Sequence, residues 1–203
     1  MSKLSAEVQP IVQPIVQATA LAIIDMQNDF VLPGAPGCVA GALPSVPVIR
    51  RLLDQGRCAL WPVFHVYREH RPDGSDAEAF RRGLFGQGRG LCRSGTPGAD
   101  IVPELAPLPG EHHIVKRRFS AFLGTQFELV LRRLGVQTLV LAGTQYPNCI
   151  RATAVDALSR DYRVIVVTDA CSAQTDEVAQ ANIFDLSNMG VACVPLQELA
   201  GAL

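Results

Sequence analysis

The sequence predicts an α/β protein with a mainly parallel β-sheet wrapped by helices, and three observations carry that prediction. Apolar, β-branched runs such as ALAIID (20–25), VQTLVL (136–141) and RVIVVT (163–168) alternate along the chain with segments of helical periodicity, the pattern of repeated βαβ units. The first of these runs is apolar on both faces, as a buried parallel strand is. Several runs stop at a polar residue, and right-handed crossovers put the carboxyl ends of all such strands along one rim of the sheet.

The chain has 203 residues and a net charge of −1, with acids and bases interspersed. One compact domain with a large core is expected, and neither a nucleic-acid groove nor an anionic membrane surface is indicated. No apolar run approaches the roughly 20 residues that span a bilayer, and the N-terminus lacks a signal-peptide core, so a soluble, cytoplasmic protein is expected. The six cysteines (38, 58, 92, 149, 171 and 193) are scattered and never form a C-x-x-C pair. That spacing argues for reduced thiols and against a zinc knuckle or disulfide framework.

In chain order, residues 1–18 contain the repeat VQPIVQPIVQ, whose prolines forbid a stable helix or central strand, and read as an extended arm ahead of a domain over 19–203. The run from Thr19 reads as the first strand and ends in Asp25. Ser45 to Gln55 is helical in pattern, and Cys58 to Tyr67 reads as the second strand, with Pro62 accommodated locally. Residues 68–109 are irregular, with Arg68, Glu69, His70, Arg71, Arg81, Arg82, Arg89 and Arg93 among many glycines; such a loop is either a binding loop or a solvated basic surface. One short helical patch lies near residues 76–82. Glu111 to Lys116 reads as the third strand. Phe119 to Leu134 contains a helix burying Phe122, Leu123, Phe127, Val130, Leu131 and Leu134, closed by Gly135. Val136 to Leu141 leads through a turn into a helix that buries Ile150, Ala154, Val155, Ala157 and Leu158. A strand over 163–168, a helix over 175–188 and a strand over 191–195 complete the alternation.

Three strand ends therefore bring Asp25, Lys116 and the turn containing Cys149 to one rim. A thiol beside a helix N-terminus and a lysine is favoured as thiolate, and a carboxylate nearby can accept its proton and return it to a leaving amine. Backbone amides of the turn could hold an oxyanion. A plainer reading stays open for each residue: Cys149 as a small core residue, Asp25 as a turn former, and Asp25 with Lys116 as an ordinary ion pair. The coincidence of three polar ends favours the chemical reading, and with it a thiol that alkylating reagents reach before the other five cysteines.

The phrase ALAIIDMQNDF, the lysine after the third strand and the turn GTQYPNC with its following helix resemble the isochorismatase-like cysteine hydrolases, a superfamily that includes nicotinamidases and several amidohydrolases. The resemblance implies a three-layer, Rossmann-like fold with six parallel strands in the order 3-2-1-4-5-6. It implies Asp25 as acid/base, Lys116 as the cation supporting the thiolate, Cys149 as nucleophile, and the amides of Gln145 and Cys149 as oxyanion donors. It also implies a cis peptide at Thr144–Gln145. Nicotinamidases carry a metal-binding Asp-x-His followed by a second His, whereas this chain has Arg68-Glu69-His70 and no second histidine there. No catalytic metal and no cofactor are therefore expected, and nicotinamide is disfavoured. Arg68 becomes a candidate anchor for a substrate carboxylate or carbonyl, with Tyr146 and Asn148 as further candidate contacts. The expected substrate is a small amide, ureido or carbamoyl compound. A vinyl-ether hydrolase or an inactive binding domain of the same fold are the alternatives, and a homo-oligomer (dimer or tetramer) is expected by analogy.

Overall fold

The computed structural model describes residues 18–203. The arm expected over 1–18 lies outside the described residues except Ala18, which opens the first strand. Six strands, β1 (Ala18–Ile24), β2 (Val63–Arg68), β3 (His112–Lys116), β4 (Val136–Thr144), β5 (Arg163–Ser172) and β6 (Ala192–Val194), form one parallel sheet in the order β3-β2-β1-β4-β5-β6. The helices are α1 (Asn28–Val31), α2 (Ala42–Cys58), α3 (Ala79–Gly86), α4 (Phe127–Arg133), α5 (Arg151–Leu158), α6 (Asp176–Asn188) and α7 (Leu199–Ala202).

Period-two alternation along β1 divides the core. Ala20, Ala22 and Ile24 pack with Phe127, Leu131, Ala154, Ala157 and Leu186 of α4, α5 and α6. Leu21 and Ile23 face the other way, onto Ile49, Leu52, Leu53 and Leu199 of α2 and α7. A strand with a helical layer on each side must be apolar at every position, which is why its sequence shows no polar alternation. Each fully buried Leu or Ile contributes about 1.5–3 kcal/mol, so this sandwich holds helices as short as α5 in place.

Several boundaries differ from the sequence reading, each for a local reason. The first long helix runs on through Cys58, which moves the start of β2 to Val63. Pro62 then precedes the strand, and its carbonyl accepts from Leu21 N–H at 3.0 Å, so no ladder donor is missing. The segment 119–126 is not helical: Gly124 adopts φ +69°, and Leu123 is 60% exposed rather than buried. Leu134 and Val155, also expected in the core, are exposed. Gly135 does end α4, at φ +65°. The short patch near 76–82 is displaced to α3, and β5 continues past Thr168 to Ser172, pairing Cys171 with Gly143 after an irregularity in the register.

Candidate active site

β1, β2 and β3 deliver their last residues to one rim. Arg68 and Lys116 close β2 and β3 in register, and Asp25 follows the end of β1. Asp25 has φ +53°, a left-handed conformation uncommon outside glycine though more accessible to Asp than to most residues. Its N–H donates to Val66 O and its carbonyl accepts from Gln27 N–H, both at 2.8 Å, which locks the reversal. β4 reaches the same rim through Gly143 (φ +119°), where a Cβ would stand 2.1 Å from Ile24 O; only glycine lets the two backbones pass. The Thr144–Gln145 peptide is cis. A wide, π-type turn at Tyr146–Ile150 then carries Cys149 into α5.

The structure brings Asp25, Lys116 and Cys149 together. Lys116 is fully buried, and its Nζ donates to Asp25 Oδ2 at 2.7 Å and to Cys149 Sγ at 3.3 Å. Arg68 Nη2 adds a second cation 3.8 Å from the sulfur. The electrostatic balance differs from expectation. Burial, and after it the Asp25 charge, pushes the Cys149 thiol above its ordinary range; Lys116 and Arg68 pull the other way without prevailing. The resting group is the thiol, because desolvation of an anion outweighs two nearby cations here.

Arg68 is not a free anchor. It is 0% exposed: Nη1 donates to Glu78 Oε1 at 2.6 Å, and Nη2 to the Arg118 carbonyl at 3.1 Å. Burial opposes its charge, and the neighbouring carboxylates Asp25 and Glu78 favour it. Tyr146 is likewise removed from the candidate contacts: it is fully buried in the core and its hydroxyl donates to Thr168 O at 3.0 Å. His70 is buried, with Arg68 Nη1 3.4 Å from its Nε2, and burial followed by the Arg68 charge favours its neutral form. Among the described residues no group of three or more His, Cys, Asp or Glu side chains is arranged to hold a metal. A permanent cation against the imidazole is also unsuited to a metal site.

A cavity of about 240 Å³, counted to its mouth, lies at the thiol. Asp25, Arg68 and Cys149 line it, as do Thr144, Gln145 and Asn148 of the β4–α5 connection. Phe30 of α1, Val39 and Arg81 of α3 complete the wall. Asn148 and Gln145 are both in the cavity wall. Three wall residues were missed, Phe30, Val39 and Thr144, and Arg81 was not distinguished from the other arginines of its loop. Gln27 was passed over as well. It is buried, accepting from Arg68 N–H at 2.8 Å and donating to the Arg68 and Ala99 carbonyls at 2.7 Å each, so it ties the long loop to the rim. The i,i+3 pair Glu78 and Arg81 was the one readable signal that part of this loop folds inward.

Fold and site together define a class: a Rossmann-like, three-layer α/β protein with an aspartate, a lysine and a cysteine clustered at the carboxyl rim of its sheet. Within that class the chain belongs to the isochorismatase family of hydrolases, the family model for the Isochorismatase domain matching residues 19–198. It is 44% identical to a probable inactive nicotinamidase from Arabidopsis thaliana over 89% of this chain and 93% of that one. It is 32% identical to the maleamate amidohydrolase of Pseudomonas putida, over 83% and 79%. The crystal structure of an isochorismatase family protein from Desulfovibrio vulgaris is 61% identical and superposes with a TM-score of 0.90, over 92% and 98% of the two chains.

Proposed function

We propose that the protein is a metal-independent cysteine hydrolase that cleaves the C–N bond of a small amide, ureido or carbamoyl compound through an acyl-enzyme on Cys149. The observation that carries the reading is Lys116 Nζ bridging Asp25 Oδ2 and Cys149 Sγ at 2.7 and 3.3 Å. The amidohydrolase relative supports the reaction class. In the proposed sequence the thiol proton passes to Asp25 as sulfur bonds to the carbonyl carbon, and the oxyanion is held by the amides of Gln145 and Cys149. Asp25 returns that proton to the departing nitrogen as the C–N bond breaks, leaving a thioester and free amine. Water then gives a proton to Asp25 and attacks the thioester; the acid leaves and the thiolate takes the proton back. Because Cys149 rests as a thiol, proton transfer accompanies attack, and Lys116 supports the sulfur only as its charge develops.

Replacing Cys149 with alanine tests the proposal, using ammonia release from a panel of small amides with and without chelator. Loss of turnover in the variant and indifference to chelator are the expected results; full activity in Cys149→Ala would end the acyl-enzyme reading and favour a vinyl-ether hydrolase. The name of the Arabidopsis relative favours one other reading, a catalytically inactive binding domain. The uninterrupted contact from Asp25 through Lys116 to the sulfur weighs against it.

A further inference from the structure

Arg68 is fully buried, and its contacts fix where the guanidinium points. Gln27 brackets its backbone, accepting from its N–H at 2.8 Å and donating to its carbonyl at 2.7 Å. Nη1 donates to Glu78 Oε1 at 2.6 Å and to the Arg117 carbonyl at 3.4 Å, and Nη2 to the Arg118 carbonyl at 3.1 Å. The Phe119 ring centroid lies 5.7 Å from Cζ. Held this way, Nη2 also reaches Cys149 Sγ at 3.8 Å. A neutral thiol is a weak acceptor, and burying a full cation against one gains little; against a thiolate the same contact is charge-assisted. Lys116 does not serve the sulfur alone, because its Nζ is nearer to Asp25 Oδ2, 2.7 against 3.3 Å, and also donates to the Arg118 carbonyl at 3.3 Å. The charged groups facing the sulfur are Asp25 beyond β1, Arg68 of β2, Lys116 of β3 and Arg81 of α3. Glu78 and His70, whose neutral form is favoured, contact Arg68.

We propose that Arg68 is a second catalytic cation, which with Lys116 holds the negative charge that develops on Cys149 Sγ, and that Glu78 is the positioning residue that keeps the guanidinium on the sulfur. The proposal rests on the reading of Cys149 as the nucleophile. In that sequence the charge develops twice. It forms as the S–H proton passes to Asp25 while the S–C bond is made. It forms again as the C–S bond of the thioester breaks, the electron pair returns to sulfur, and Asp25 gives back its proton. At both points two donors from the adjacent strands β2 and β3 already face the sulfur, so neither has to reorganise. An ammonium can give a proton to a thiolate, whereas a guanidinium keeps its own at any working pH. Arg68 therefore supplies charge while leaving proton traffic to the sulfur and Asp25. Glu78, bonded to the guanidinium, offsets part of that charge and limits how far the thiolate is favoured.

The test follows iodoacetamide modification of Cys149 by peptide mapping as pH is raised, because the rate tracks the thiolate fraction and needs no substrate. It uses wild type, Arg68→Lys, Glu78→Gln and the double variant Arg68→Met with Glu78→Gln, which removes the pair together so that no carboxylate is stranded. Each is first checked by thermal unfolding. The double variant should react about tenfold or more slowly at pH 7, as a thiol pKa raised by one unit or more requires, and should reach the wild-type rate once pH is high enough to ionise the thiol. Arg68→Lys should lie between the two. Glu78→Gln keeps an acceptor for Nη1 but removes the offsetting charge, so its profile should move to lower pH. An unshifted profile in the double variant, or a loss by the same factor at every pH, which reports changed access to the sulfur, overturns the proposal and leaves the hydrolase reading intact. If the double variant does not fold, Glu78→Gln decides, and a profile that stays in place or moves to higher pH overturns it. On a small amide that wild type hydrolyses, the double variant should lose kcat with KM little changed, because the charge it no longer meets develops only in the transition state. If wild type hydrolyses no amide the amidohydrolase reading fails, and the alkylation profiles still decide whether Arg68 carries the sulfur's charge.

Discussion

Replacing Lys116 with methionine removes the ammonium and keeps most of the side-chain volume. Lys116 and Asp25 are 0% and 2% exposed in their side chains and 2.7 Å apart. At that separation the attraction is about 6 kcal/mol for an effective dielectric of about 20, most of which repays the burial of the two charges. Removing one partner forfeits the repayment and strands the other, and Asp25 Oδ1 already has no partner. The expected loss is about 3–5 kcal/mol, a fifth or more of the stability of an ordinary domain. Urea unfolding followed by circular dichroism should show the midpoint falling with the slope unchanged. Asp25→Asn should cost a similar amount. The double variant should be more stable than the sum of the single losses predicts, by about 2 kcal/mol or more, because no charge is left uncompensated. Losses that add to within about 0.5 kcal/mol would refute the reasoning. Turnover should be lost in all three variants, so stability and catalysis separate: the double change rescues folding and not activity.

Two further outcomes follow from burial and charge. Iodoacetamide should modify exposed Cys58 before buried Cys149, reversing the order expected from the sequence, and the Cys149 rate should keep rising with pH beyond the ordinary thiol value of about 8.5. Peptide mapping that found Cys149 modified first at pH 7 would mean that Lys116 and Arg68 prevail over desolvation. Glu111 is the second case. Burial alone would raise its pKa, but hydrogen bonds from Arg57, Leu108 N–H and His65 outweigh it and bring the carboxyl down to about 2 from 4.5. A depressed folded pKa stabilises above the unfolded value, so this contribution is complete above about pH 5 and is lost as pH falls toward 2. Glu111→Gln should remove up to about 3 kcal/mol at pH 7 and flatten the acid limb of a urea-midpoint series; an unchanged limb would show that the Arg57 pair contributes nothing.

The parts of this molecule legible in the sequence are those set by nearest-neighbour pattern and by topology. Apolar runs in β1, β4 and β5 announced buried strands, and parallel strands oblige Asp25 and Lys116 to share a rim with the β4–α5 turn whatever the details of packing. Those two constraints were enough to bring three residues from distant parts of the chain within hydrogen-bond reach. Local breaks were less readable. A single positive-φ glycine, Gly124, stops a helix that periodicity would have run from residue 119, and the turn from Tyr146 to Ile150 is wider than an α-helical turn, which moves Val155 off the buried face.

The charge state of the thiol and the pairing of the arginines were not readable at all, and for one reason: both depend on which charges neutralise which. Arg68 and Arg81 look alike in a basic, glycine-rich loop. In the fold, Arg68 closes β2, so its guanidinium meets Glu78 and the sulfur, while Arg81 sits one helical turn beyond Glu78 and stacks on Phe80 and Phe119 instead. Glu78 gives Oε1 to Arg68 at 2.6 Å and leaves Oε2 3.6 Å from Arg81, so the shorter contact goes to the more deeply buried arginine, where leaving a charge unpaired would cost more.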